Sequence, residues 1–104
     1  MKRYIKSSGV GQPPQHIKVI KDYYLDSVNE LDDDEYYQYY DLGFIRTDPS
    51  GLEYAMLPAG TQLHYDGSSG NWLLYSLEDT DIVIPLNNLG GEFERDFDEY
   101  FEII

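Results

Sequence analysis

The chain has no cysteine, which excludes disulfides, thiolate metal sites and thiol nucleophiles. Histidine is almost as scarce. His16 and His64 are the only imidazoles, the side chain most used for proton transfer near neutral pH. His16 falls at an expected loop-to-helix junction and His64 in an expected strand beside Tyr65, so both read as structural or exposed. Gly67-Ser68-Ser69-Gly70 lacks the central serine of a nucleophile elbow. No His-Glu-x-x-His, phosphate loop or Gly-x-Gly-x-x-Gly occurs. Asp32-Asp33-Asp34 lacks the spacing of a calcium loop, and Glu78-Asp79-Thr80-Asp81 is too short to supply six or more oxygens. With twenty acids, some pair will stand at glycosidase distance by chance, so that spacing diagnoses nothing. The expectation is a protein without catalytic residues, cofactor or metal.

Positive charge is also in short supply. Seven basic residues face twenty acids, a net charge of -13. Lys2, Arg3, Lys6, Lys18 and Lys21 all precede the first acid, Asp22, and only Arg46 and Arg95 follow it. Such a field repels nucleic acid and anionic membranes and attracts basic protein surfaces. Trp72, Tyr65 and Tyr75 would need a basic groove to stack bases, and none is present, so Trp72 is assigned to the core. No apolar run approaches the roughly 20 residues of a membrane span. Met1-Lys2-Arg3-Tyr4-Ile5-Lys6 has no apolar segment behind it and is not read as a signal peptide. A cytoplasmic protein is expected.

What the chain does have is apolar material. Hydrophobic residues make up 41% and aromatics 15%, enough for a core in one domain over 1–104 with a basic arm or loop over 1–13. Pro14 suits the first turn of a helix, and Ile17, Ile20, Tyr24, Val28 and Leu31 follow at helical spacing. The β-branched residues and the Tyr23-Tyr24 pair leave a strand open there. Asp32 with Glu35 has the form of an acidic capping box, which predicts a short helix from about Asp33 to Leu42, stopped by Gly43. Strands at 44–47 and 52–57 flank the turn Asp48-Pro49-Ser50-Gly51, and Pro58-Ala59-Gly60 makes a corner. Strands at 61–65 and 71–77 flank a loop over Asp66–Gly70, and Ile82–Ile84 is a last strand ended by Pro85. Phe93, Phe97, Tyr100, Phe101 and Ile104 form a helical stripe over 92–104, against which an alternating strand reading competes. The expected fold is α+β: an antiparallel β-meander of four to five strands with N-terminal and C-terminal helices packed on it.

The stretch Glu30–Asp41 sets four tyrosines among six acids with no basic residue. Rings usually go inside and unpaired carboxylates cannot, so this element predicts a surface that a partner covers. On a helix Tyr36, Tyr39 and Tyr40 share one side, while Tyr37 and Asp41 share another. Tyr37 is the first candidate for a contact residue, the competing reading being that it is core. A second acidic block, Glu92 to Glu102, holds six acids. As a helix of about 20 Å it would carry one carboxylate per about 3.3 Å, near the spacing of phosphates along a DNA strand. Candidate partner-binding residues are Asp32, Asp33, Asp34, Glu35, Tyr36, Tyr37, Tyr40 and Asp41 in the first block, with Glu92, Glu94, Asp96, Asp98 and Glu99 in the second.

In size, charge and lack of catalytic motifs the chain resembles small acidic phage anti-restriction and anti-CRISPR proteins. That resemblance implies a non-catalytic inhibitor, a DNA mimic that binds a basic nucleic-acid-binding protein such as a nuclease or CRISPR effector and does not bind nucleic acid itself. The adjacent Tyr36-Tyr37 among acids also resembles DNase-immunity proteins, which implies an alternative partner, a basic nuclease toxin.

Overall fold

The computed structural model describes residues 13–104; the arm expected over 1–13 lies, Pro13 apart, outside them. The elements in chain order are β1 (His16–Val19), β2 (Tyr23–Ser27), a 3-10 turn, α1 (Asp33–Asp41), β3 (Ile45–Thr47), β4 (Glu53–Leu57), β5 (Gln62–Ser69), β6 (Trp72–Leu77), β7 (Val83–Asn87), a second 3-10 turn, α2 (Glu92–Tyr100) and β8 (Phe101–Ile103). This is an α+β fold whose strands form two antiparallel sheets, one of five strands and one of three. The chain divides into two compact units. A discontinuous one contains the described residues up to Lys21 with Ala59–Ile104, and an inserted one runs Asp22–Pro58.

The discontinuous unit has strand order β7-β6-β5-β1-β8. Ile17 and Val19 are fully buried, while His16 and Lys18 alternate with them toward the other face, the period of two that a strand imposes. This corrects the expected N-terminal helix: residues 16–27 are two strands, and His16 opens a strand. Strand β1 has no sequence neighbour to pair with and takes its hydrogen bonds from β5 and β8 (Ile17 opposite Leu63 and Ile103). Partners that far along the chain decide against the helical spacing. The insertion leaves and returns at one point, where Val19 N–H donates to Thr61 O at 2.8 Å and Gly60 N–H donates to Val19 O at 2.7 Å.

The core of this unit is aromatic. Phe93 and Phe97 of α2 meet Phe101 with ring centroids 5.2–5.5 Å apart, and Tyr75 adds its ring 6.0 Å from Phe93. The Tyr75 hydroxyl donates to Pro14 O at 2.9 Å. Asn88 Oδ1 accepts from Phe93 N at 3.0 Å, giving α2 a start. The helix expected over 92–104 ends at Tyr100; Phe101–Ile103 is an edge strand whose backbone satisfies β1. Phe101 therefore reaches the ring cluster from a strand, four residues after Phe97, and the stripe looks unbroken in sequence.

Three further expectations change. The loop over Asp66–Gly70 is mostly strand: β5 runs to Ser69 with a bulge between Tyr65 and Gly67, and the turn is Gly70-Asn71. Gly70 sits at φ 59, the backbone that the first central position of a tight II′ turn demands. Pro85 lies inside β7 rather than ending it, tolerated because β7 is an edge strand. Trp72, expected in the core, is 44% exposed; it opens β6 beside the turn, at the end of the sheet.

In the inserted unit the order is β2-β4-β3, joined by the expected turn: Gly51 N–H donates to Asp48 O at 3.0 Å. Helix α1 matches the expected boundaries because both ends are made by local side chains. Asp32 Oδ1 accepts from Glu35 N at 2.8 Å, and Asp32 N donates to Glu35 Oε1 at 3.3 Å, a complete capping box. At the other end Gly43 N–H donates to Tyr40 O at 3.0 Å and Phe44 N–H to Tyr39 O at 2.8 Å, a Schellman closure in which Gly43 takes φ 78. The Tyr39 and Phe44 rings stack across that closure, 25° apart in plane. A Cβ at residue 43 would meet nothing within 4 Å, so only backbone conformation resists a side chain there. Gly43→Ala is expected to destabilise the inserted unit by about 1 kcal/mol, read as a lowered urea midpoint; an unchanged midpoint would show that the closure contributes nothing.

Candidate functional site

Helix α1 buries one residue, Tyr39, at 4% exposure. Burial, with the Glu35 and Asp26 carboxylates adding to it, pushes the Tyr39 phenol from its ordinary 10.0 up to about 12. The remaining rings make a surface. Tyr37 and Tyr40 are 64% and 60% exposed, which removes the reading of Tyr37 as core and turns Tyr40 outward as well. Tyr36 lies between them, edge-on to Tyr37 at 5.5 Å and stacked with Tyr40 at 6.1 Å. Its hydroxyl reaches both oxygens of Glu53, at 3.3 and 3.4 Å. The half-buried Tyr36 thus anchors two exposed rings to β4, and desolvation followed by the Glu53 charge raises its phenol pKa.

The acids around these rings have different jobs. Asp32 and Glu35 are occupied by the capping box. Asp33 and Asp34 are exposed in the first turn, where negative charge suits the helix dipole. Asp41 is exposed in the last turn, where the dipole opposes it, and no basic residue stands in that turn. The inserted unit holds ten acids against Arg46. The Arg46 guanidinium is turned onto the carbonyls of Gly43 and Ile45. Among the described residues, Asp33, Asp34 and Asp41 have no basic side chain at ion-pair distance.

The second block differs. Arg95 grips Asp96 with two bonds of 2.9–3.0 Å, and Lys21 Nζ donates to Glu99 at 2.7 Å while lying 5.2 Å over the Tyr100 ring. Those hydrogen bonds hold the Asp96 and Glu99 carboxyls below the usual range. Glu94 is half-buried, and Glu92 and Asp98 are exposed. Because α2 stops at Tyr100, Glu102 sits on a strand, 3.9 Å from Lys18 Nζ. The phosphate-like spacing expected of a 92–104 helix is absent, and among the described residues Asp96 and Glu99 of its candidate acids are tied to local cations. The two blocks belong to different units.

Two groupings escaped the sequence reading. On the five-stranded sheet His16 and His64 are register partners, and both Nδ1 atoms approach Glu78 Oε1, at 3.4 and 3.3 Å. No group with metal-holding geometry occurs among the described residues. In the inserted unit an open cleft of about 410 Å³ is lined by Asp22, Tyr24, Asp48, Tyr54 and Met56. The period-two spacing of Tyr54 and Met56 is a sequence signal for it; Tyr24 lies on a strand, the alternative that the sequence leaves open beside the expected helix. No helix among the described residues is long and apolar enough to cross a membrane. No protein-family model, curated protein or solved structure matches the chain.

The Tyr39 phenol supplies a pH test. Below pH about 10 it is protonated in folded and unfolded chains alike; between about 10 and 12 the unfolded chain loses the proton first, so stability falls as pH rises. Tyr39→Phe is expected to flatten that part of the stability profile and to remove the last-forming phenolate absorbance of the folded protein. A profile unchanged by Tyr39→Phe would contradict the burial assigned to this ring.

Proposed function

We propose that the chain is a non-catalytic acidic inhibitor that covers the basic nucleic-acid-binding surface of a partner protein with the acid–tyrosine face of α1. Asp33, Asp34 and Asp41 supply charge that no cation among the described residues pairs with, and Tyr37 and Tyr40 supply contact area that costs little side-chain entropy to fix. The observation that carries this reading is two mostly exposed rings held on an anchored third, beside the exposed carboxylates of Asp33, Asp34 and Asp41. Asp41 adds to it, since its position opposes the helix dipole and therefore serves something other than the helix. Glu92, Glu94, Asp96, Asp98 and Glu99 of α2 contribute long-range attraction, weakened where Arg95 and Lys21 bind. The partner class is a DNA- or RNA-handling effector, such as a nuclease or CRISPR complex, met in the cytoplasm by a phage or mobile-element anti-defence protein. A second reading, an immunity protein for a basic nuclease toxin, draws on the edge-packed Tyr36-Tyr37 pair beside Asp33 and Asp34.

The test captures the partner on immobilised chain from a host lysate at about 50 and 200 mM salt, then measures affinity with variants. Exposed charge pairs are screened over that range, so affinity is expected to fall markedly. Tyr37→Ala should weaken binding at least about ten-fold, or about 1.4 kcal/mol, with its melting midpoint nearly unchanged. Asp41→Asn should raise the midpoint while weakening binding. A salt-independent affinity, or a stable Tyr37→Ala that binds normally, removes α1 from the interface.

A further inference from the structure

The cleft of the inserted unit lies on the side of the three-stranded sheet away from the Tyr36–Glu53 contact. Along β4 successive side chains alternate, so Tyr54 and Met56 share one face, while Glu53, whose carboxylate meets the Tyr36 hydroxyl, lies on the other. Tyr24 pairs with Met56 across β2 and β4 and joins that face. Its ring, 58% exposed, stands 5.7 Å from the Tyr54 ring at 30°, over a buried Met56. Asp22 and Asp48 complete the lining.

Asp48 is prepared as an anion. Its Oδ1 accepts from Ser50 N at 2.8 Å, Ser50 Oγ at 2.6 Å and Leu52 N at 3.0 Å. The Ser50 hydroxyl first, then the Leu52 amide, hold the carboxyl below the usual range. These three bonds fall on Oδ1, and the Gly51 amide also favours the ionised carboxyl. Oδ2, which takes part in none of the three, is the oxygen offered to a ligand. Arg46 pairs with Tyr54 in register and belongs to the same face, but its guanidinium is bound to the Gly43 and Ile45 carbonyls. The cleft therefore presents two ring faces, a thioether floor and the Asp48 carboxylate, and among the described residues no basic side chain lines it.

A cation that prefers aromatic faces over water fits this lining. Guanidinium is flat, weakly hydrated and able to stack on a tyrosine while donating in-plane to a carboxylate; an ammonium is compact and strongly hydrated. We propose that the Tyr24–Tyr54 cleft receives an arginine side chain of a basic protein partner, the guanidinium stacked on the rings and donating to Asp48 while its methylenes lie on Met56. The source of the arginine rests on the function proposed above; the preference for guanidinium does not.

The test titrates the full chain with a short arginine peptide and its lysine counterpart, following Tyr24 and Tyr54 ring signals and the Met56 methyl by NMR. The arginine peptide is expected to give saturable shifts at those residues, with the lysine peptide at least about threefold weaker. Asp48→Asn, which keeps the Oδ1 acceptor and removes the charge, should weaken arginine binding by a similar factor; Tyr24→Ala should abolish saturation while the chain stays folded. Tyr37→Ala should leave peptide binding intact, which separates this cleft from the α1 face. Unsaturable shifts spread over the acidic surface, or a lysine peptide binding equally well, would overturn the assignment.

Discussion

Everything proposed for α1 depends on the stacking of Tyr39 on Phe44 across the Schellman closure. A nine-residue helix is too short to persist on propensity, and this one carries acids at both ends. Its N-terminus is stabilised by its own carboxylates through the capping box. Its C-terminus has an acid where a cation would help, and there the buried ring pair and the glycine turn supply the hold. With one tyrosine committed inward, the others are free to face out. The same inward commitment leaves the outer face with no structural duty beyond the Tyr36–Glu53 anchor.

The discontinuous unit solves a different problem, building a core from few residues and without cross-links. Phe93, Phe97, Phe101 and Tyr75 are each at most 2% exposed, and large rings bury the most area per residue ordered. Around that cluster the acids of α2 can be paired because Lys21 and Arg95 are close. The contrast between the units is one of compensation rather than of charge count. Each unit holds ten acids. Among the described residues, Asp96, Glu99 and Glu102 of the discontinuous unit lie against local cations, while Arg46 of the inserted unit is turned onto backbone carbonyls.

The legible parts of the sequence were those whose cause is local. Asp32 with Glu35, Gly43, and Asp48-Pro49-Ser50-Gly51 each act within a few residues, and the structure places α1 and the β3–β4 turn where those residues put them. The acid–tyrosine face followed from the same stretch. The misread segments have distant causes. Ile17, Ile20, Tyr24, Val28 and Leu31 keep helical spacing, yet β1 is made by β5 and β8 and β2 by β4; Ile20 and Tyr24 in the supposed apolar stripe are exposed. The cleft was illegible for the same reason, since it exists only once Tyr24 is set opposite Met56.

The point where the insertion departs and returns bears on how such a chain can change. Val19 bonds to Gly60 and Thr61 on either side of that point, so the register between β1 and β5 is set without reference to what is spliced between them. Those bonds are made by residues outside Asp22–Pro58. The larger unit behaves as a chassis and the smaller as a cartridge. Residues within Asp22–Pro58 are therefore open to change by a route that Phe93, Phe97 and Phe101, each at most 2% exposed in a packed interior, do not share.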